Sequence, residues 1–417
     1  MFKQVKAHSL TGRITPPIML QAFRSVKRNR GAAGIDKVSI GLFEANRDEN
    51  LHALMRDLKK GLFQPKPLRR VHIPKGPGSK EKRPLGIPIV RDRVAQEVLR
   101  LVLTPIFEPH FHRCSFGFRK GRNCHMAIEE ALRYHRQDRF VLDADIKGFF
   151  DKIPHQVIMN LVAEKVADGN ILTLLQRFLT AGVMEDGVFK PTTVGTPQGG
   201  VISPLLSNIV LNQLDWALDE AGYRFVRYAD DFVVICPTRR QAQEALFVVK
   251  QVVEIDLGLE LSPEKTHVAT FGKGYEFLGF FLSSRSRRMR RKSEQKFKEK
   301  VRMLTRRSRN LDTKAIEKLN RVIRGTANYF ATRFSTQRWH FQKLDSWIRM
   351  RLRAMKKKRK NYNDNRRLKC GYFVRKLGLL TLESFCTARD EHGNVHQVIP
   401  RNGATPKGSP SERSSRW

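Results

Sequence analysis

The chain has 417 residues, 40% of them hydrophobic, and a formal net charge of +39 from 79 Lys and Arg against 40 Asp and Glu. That length allows two or three domains with a substantial core, and the hydrophobic content excludes wholesale disorder. The charge calls for a polyanionic partner, RNA or DNA, and the lack of any apolar run long enough to span a bilayer argues against a membrane.

The N-terminal stretch MFKQVKAHSLTGRI has no continuous apolar region of the signal-peptide kind. Residues 17–30 read as a helix, with Ile18, Leu20, Phe23 and Val26 among basic positions and Gly31 and Gly34 after it. Residues 49–60 also read as helical. LRRVHIPKGPGSKEKRPLGIP, residues 68–88, reads as strand, Pro/Gly-rich turn and strand, with Lys75, Lys80, Lys82 and Arg83 on the turn. Helical periodicity resumes over 91–107. FVLDADI, residues 140–146, is a strand, and 155–181 are mainly helical. The Gly/Pro-rich loop GTPQGG at 195–200 leads into an apolar helix with Pro204 near its first turn. RFVRYADDFVVI, residues 224–235, reads as strand, tight turn and strand, the turn holding Ala229 and Asp230. A helix over 241–257 and a strand or short hairpin over 275–282 follow.

Beyond 282 the texture changes. From residue 281 onward 38 Lys and Arg stand against 10 Asp and Glu, so the last third is foremost a polyanion-binding surface. Helices are expected near 292–308, 314–330 and 336–356, with apolar faces such as Leu319, Val322 and Ile323, or Phe341, Leu344 and Ile348. The tail from about 401 is rich in Gly, Ser and Pro and reads as disordered. Five cysteines, at 114, 124, 236, 370 and 386, show no CxxC spacing. That indicates neither a structural zinc nor a disulfide scaffold, and fits a reducing cytoplasm.

Two acidic segments carry the chemistry. Tyr228-Ala229-Asp230-Asp231 puts adjacent carboxylates at a hairpin tip, where like charges repel unless a divalent cation relieves them. Adjacent strand residues face opposite ways, so Asp230 is the better candidate to bridge two ions and Asp231 the weaker or supporting ligand. On the 140–146 strand, Asp143 and Asp145 share a face and alternate with Leu142, Ala144 and Ile146. Carboxylates are hard oxygen donors suited to Mg²⁺, and phosphoryl transfer uses two such ions about 3.5–4 Å apart. No HExxH or other zinc-like cluster is present.

With YADD, TPQGG and DIKGFFD, the chain resembles reverse transcriptases, and more closely the proteins encoded by bacterial group II introns. RRVHIPK (69–75), RPLGIP (83–88), RDRVAQ (91–96), SFGFRKGR (115–122), GTPQGGVISPLLSNIVL (195–211), LSPEKT (261–266), FLGF (277–280) and RGTANYF (324–330) support the likeness. It covers roughly residues 15–375. It implies an α+β right-hand fold: an N-terminal extension and the first part of the fingers in 1–135, palm with interleaved fingers in 136–282, a basic helical thumb or maturase domain in 283–375, and a C-terminal segment in 376–417. Asp145, Asp230 and Asp231 match the family's catalytic, metal-binding aspartates, with two Mg²⁺ as cofactor and Mn²⁺ not excluded. Asp143 is a second choice. Lys75 and Arg83 match triphosphate contacts, Phe150 the ring beneath the incoming sugar, and Gln198 and Gly199 the loop beside the nucleotide. Phe149 is expected to face the core. Arg119, Lys120 and Arg122 match template contacts. Arg333, Arg338, Lys356, Lys357 and Lys358 would bind RNA.

The activity so implied is RNA-directed DNA synthesis, joined to intron RNA binding, help with splicing, and retrohoming. Partners would be intron RNA, an RNA template with DNA primer, dNTPs and a target DNA, single-stranded because no HNH-type nuclease module is legible. His392 with His396, and Cys370 with Cys386, are too scattered to form one. A bacterial cytoplasmic, nucleoid- or RNA-associated location follows, and a homodimer is left open. Two other readings stay open at this point: a domesticated relative in phage defence or DNA repair, and a non-catalytic RNA-binding splicing factor.

Overall fold

The computed structural model describes residues 6–74, 82–196, 199–361, 363–389 and 395–397. The chain divides into two compact units, Met1–Leu278 and Gly279–Trp417.

In the first unit, helices α1 (Pro16–Arg28), α2 (Ile40–Ala45) and α3 (Arg47–Lys59) gather around α4 (Val90–Phe107). Met19, Ala22, Phe23 and Val26 of α1 are buried, the i, i+3, i+4, i+7 spacing of a single apolar face. Strands β1 (Leu68–Pro74) and β2 (Lys82–Ile87) pair antiparallel, as the alternating pattern on either side of the Pro/Gly-rich turn predicts. The turn itself, with Lys75 and Lys80, lies outside the described residues. β4 (Val183–Glu185) runs parallel to β1, and β5 (Val188–Lys190) pairs with β4. That last hairpin is not among the expected elements, although Asp186-Gly187 is a two-residue hairpin signal. Both residues take positive φ, 50° and 81°, as such turns require. Helix α5 (Cys124–Tyr134) is also new to the reading. Asn123 caps it by accepting the Met126 N–H at 3.0 Å.

The second sheet of this unit has the order β6-β7-β3-β8, from β3 (Phe140–Asp145), β6 (Arg224–Tyr228), β7 (Asp231–Cys236) and β8 (His267–Thr270), every neighbouring pair antiparallel. Val141, Leu142, Val226 and Phe232 through Cys236 are buried in it. The short α6 (Phe149–Lys152) and the helices α7 (His155–Ala163), α8 (Gly169–Leu179), α9 (Ser203–Glu220) and α10 (Arg239–Lys250) follow in chain order, and α9 and α10 pack on the sheet. Pro204 sits in the first turn of α9, where its missing N–H leaves no bond unmade. β9 (Tyr275–Phe277) ends the unit.

The second unit opens with the hairpin β10 (Phe280–Leu282) and β11 (Arg287–Met289). Helices α11 (Arg291–Leu304), α12 (Thr313–Phe330) and α13 (Arg338–Lys357) then form the basic helical domain that periodicity predicts, and the one-turn α14 (Asp364–Arg367) follows. Its core takes Phe297 and Val301 from α11, Ile316, Leu319, Ile323 and Ala327 from α12, and Phe341, Leu344, Ile348 and Leu352 from α13. Charge is left outside: Lys298, Arg302 and Arg351 lie around the Trp347 ring at 5.9, 5.7 and 5.7 Å, within cation–π range. Among the described residues no helix is long and apolar enough to cross a membrane.

Candidate active site

Asp145 ends β3 and stands in register opposite Asp231, the first residue of β7. Asp231 also pairs with Tyr228 across the β6–β7 hairpin, and Ala229 and Asp230 form the turn between. Two distant chain segments thus bring three aspartates to one end of one sheet. Asp231 is exposed, while Asp145 and Asp230 are half-buried. Burial pushes the Asp230 carboxyl above the ordinary carboxylate range, the Asp145 charge adds to the push, and Arg83 and Arg227 oppose it. Asp143 shares the β3 face, further from the turn, opposite Val233 and His267.

The Asp145 side chain is engaged by Lys265, whose Nζ lies 2.8 Å from Oδ2. Backbone contacts anchor the same loop: the Ser262 N–H donates to the Asp145 carbonyl at 2.7 Å. Among the described residues, no group of three or more His, Cys, Asp or Glu side chains converges closely enough to hold an ion.

A buried network shapes the turn. Arg227 and Asp215 are wholly inaccessible to solvent and meet through two bonds, Nε to Oδ1 at 2.7 Å and Nη2 to Oδ2 at 2.5 Å. Arg227 Nη1 also donates to Asn208 Oδ1 and to the Ala229 carbonyl, both at 3.0 Å. Asn208 in turn donates to the Gly117 carbonyl at 2.9 Å. Gly117 has to be glycine, because a Cβ there would meet the Ala229 nitrogen at 2.2 Å. The turn needs this grip: Ala229 has φ of 59°, sparsely populated for a residue with a Cβ. Sequence reading assigned no role to Arg227, Asp215, Asn208, Gly117 or Lys265. The available signals were an arginine inside the apolar strand RFVRY and polar residues on the buried face of α9.

The 195–200 loop is wired to its surroundings by backbone bonds. Gly195 N–H donates to Ile153 O at 2.8 Å, Thr196 N–H to Phe150 O at 2.7 Å, and Val201 N–H to Gln96 Oε1 at 2.7 Å. Gly199 has φ of 106°, and a Cβ on it would meet the Gly86 carbonyl of β2 at 2.5 Å. Thr196 is therefore tied to α6, and Gly199 lies against the strand that carries Arg83. Phe149 is buried and Phe150 half-buried beside it, their ring centroids 5.3 Å apart. Lys75 and Gln198 lie outside the described residues.

Residues 73–282 match the family described as reverse transcriptase (RNA-dependent DNA polymerase), which covers this sheet, the hairpin turn and the loop. The chain belongs to the reverse transcriptase family. Residues 294–372 match the family described as the group II intron maturase-specific domain, so the chain joins a reverse transcriptase region to a maturase-specific one. Protein YkfC of Escherichia coli (strain K12) is 33% identical over an alignment of 308 residues that covers 64% of this chain and 80% of YkfC. The group II intron-encoded protein LtrA of Lactococcus lactis subsp. cremoris is 37% identical over 217 residues, 51% of this chain and 35% of LtrA. The chain thus spans most of one relative and about a third of the other. A solved partial Cas6-RT-Cas1--Cas2 complex is similar at a TM-score of 0.38 and 24% identity, covering 60% of this chain and 43% of that one.

The expected nucleic-acid contacts of the reverse transcriptase divide on inspection. Arg119 needs correction. It is 9% exposed, and its guanidinium is spent on Glu108 at 2.8 Å and on the carbonyls of His112 and Ser115 at 2.7 and 2.9 Å. Through Nε and Nη1 it braces the 108–119 loop. Arg122 is half-buried, donates to the Arg113 and Ser115 carbonyls, and lies over the Phe116 ring. Lys120 between them is exposed. In the second unit, Arg333, Arg338, Lys356, Lys357 and Lys358 are all exposed. Arg338 pairs with Glu383 at 3.2 Å, Lys356 contacts the Tyr372 hydroxyl, and Lys358 bonds the Arg309 carbonyl at 2.7 Å.

Proposed function

We propose that this reverse transcriptase synthesises DNA around Asp145, Asp230 and Asp231, that Arg83 and Lys75 take the triphosphate, and that the basic C-terminal unit holds intron RNA. The observation that carries the reading is the β3–β7 register, which sets Asp145 against Asp231 beside the Asp230 turn. The donor set fits Mg²⁺. All three are hard oxygen donors, and the Asp145 charge destabilises the ionised form of Asp230, a repulsion that a divalent cation relieves. Lys265 supplies positive charge to Asp145; its exposed side chain can yield that place to an ion. Mg²⁺ bound there would make a primer 3′-hydroxyl more acidic and neutralise charge on the triphosphate.

The rest of the proposed mechanism is positioning. Arg83, exposed on β2 and within electrostatic reach of Asp230, can grip phosphate oxygens bidentately. Gly199 lets the loop backbone approach β2 closely, and Gln198 beside it would orient the base or sugar. Phe150, held through its carbonyl by Thr196, would sit beneath the sugar and exclude a 2′-hydroxyl. Lys120, with Arg122, would meet the template backbone. We assign residues 1–135 and 136–282 as fingers and palm, and 283–375 as thumb and maturase domain. Intron RNA, a primed RNA template, dNTPs and single-stranded target DNA are the partners, in a cytoplasmic complex with RNA.

The test is dNTP incorporation on a homopolymer RNA template with a DNA primer, in Mg²⁺ and in Mn²⁺. Asp230→Ala is expected to fall to the level of a no-enzyme control while keeping its affinity for RNA. Full incorporation by that variant would sink the catalytic assignment and leave an RNA-binding splicing factor.

A further inference from the structure

The second unit holds a cavity of about 460 Å³ beside α13, within the range of small-ligand sites. Its apolar wall comes from Trp347, Met350 and Ala354. Four cationic side chains, Arg349, Arg353, Arg359 and Lys360, also line it. Among them sits one acid, Asp364. It is 1% exposed, and among the described residues neither carboxylate oxygen has a hydrogen-bond partner. The near cation, Arg359, forms an ion pair with it, Nη2 3.6 Å from Oδ1 and so just beyond hydrogen-bond distance, on a side chain that is 57% exposed. Arg353 is committed elsewhere: its Nε–H goes to the Leu368 carbonyl at 2.9 Å and its guanidinium lies 5.4 Å from the Phe373 ring centroid.

A buried carboxylate with two unmet oxygens is expensive to keep. Its natural complement carries two N–H donors side by side in one plane. Guanine offers that arrangement on its Watson–Crick edge, through N1–H and the N2 amine. Adenine, cytosine and uracil do not offer two adjacent donors there. Unpaired RNA bases are read in this way, by edge bonds and by stacking on flat or apolar side chains. A basic peptide would bring similar donors, but four surrounding cations repel it. The same cations attract the phosphate that accompanies a nucleotide.

We propose that this cavity binds an unpaired guanine of an RNA strand, with the base edge on Asp364 and the neighbouring phosphate on Arg349 and Lys360. Arg359 swings from the carboxylate to the phosphate as the base enters. The proposal rests on the reading of the C-terminal unit as RNA-binding and adds base selectivity to it. A maturase domain with such a site recognises its RNA by a specific exposed guanine as well as by charge.

The experiment is fluorescence anisotropy with the full-length protein and short single-stranded RNAs, A-rich and differing only in one central G, inosine or A. Wild-type protein is expected to prefer G over A by about 5- to 100-fold, the range of one good bidentate base contact, with inosine, which lacks the N2 amine, in between. Asp364→Asn exchanges one acceptor for a donor at unchanged size and is expected to abolish the preference. Arg349→Ala, carrying an intact Asp364, should weaken G and A oligonucleotides alike and keep their ratio. Equal wild-type affinities overturn the proposal. So does a G preference that survives Asp364→Asn or is lost in Arg349→Ala. Competition by GMP as effective as by the G oligonucleotide would overturn the assignment to a strand. The broader RNA-binding reading fails separately, only if wild-type protein binds none of the oligonucleotides at low salt.

Discussion

Asp92 shows what burial does to a single acid. It is 1% exposed on α4, its Oδ2 accepts the Lys66 N–H at 2.8 Å, and its Oδ1 has no hydrogen-bond partner among the described residues. Burial pushes its carboxyl up to about 7, against the pull of the Lys66 bond. The folded protein therefore keeps a proton that the unfolded chain, with an ordinary Asp near 3.9, gives up. This contribution to stability is complete below about pH 4 and is lost as pH rises through about 7. Asp92→Asn should remove that slope, by up to roughly 4 kcal/mol across the window. Thermal unfolding of both proteins between about pH 4.5 and pH 8 gives the difference; parallel curves would show that Asp92 is ionised throughout. Arg227 and Asp215 are buried as a bonded pair. Removing one partner of such a pair typically costs about 3–5 kcal/mol.

Among the elements, the β6–β7 hairpin matters most, and its turn is held from outside. Gly117 belongs to a separate loop, yet its Cα lies against the Ala229 backbone. A methyl group there must displace either the loop or the turn, and both are backbone. Gly117→Ala is expected to move Asp230 by a fraction of an ångström to an ångström and lower dNTP incorporation about 10- to 100-fold, with circular dichroism unchanged. Wild-type activity in that variant would show that the turn does not depend on the contact. The same scale explains what was readable in advance. The β3, β6 and β7 strands and helices α1, α4, α11, α12 and α13 carry strong apolar periodicity, and each lies within a few residues of its expected span. The β4–β5 hairpin and α5 were not expected. The first is a pair of three-residue strands, too short to show alternation, and the second announces itself mainly through its Asn123 cap.

For the molecule as a whole, charge is the dominant fact. The surplus of +39 is concentrated after residue 280, on helices whose apolar faces are consumed in their own core. If the protein neutralises 6 to 10 phosphates, its RNA affinity should fall by about 10³ to 10⁵ between roughly 50 and 200 mM salt. An affinity that barely changes over this range, measured by filter binding, would contradict the polyanion-binding account. Charge alone does not separate the three expected template contacts. Arg119, Lys120 and Arg122 are equivalent by composition, but Lys120 is exposed while Arg119 is used internally.

The sequence alone determined the α+β class and the family and singled out three aspartates as candidates, because periodicity, net charge and short motifs are local properties that survive without coordinates. Tertiary structure decided the rest: the pairing of Asp145 with Asp231, the grip of Arg227 and Gly117 on the turn, the internal use of Arg119 and the buried Asp364 beside Arg359. Whether a charged side chain meets water, a partner or neither depends on residues far away in the chain, and only the packed fold brings those neighbours to it.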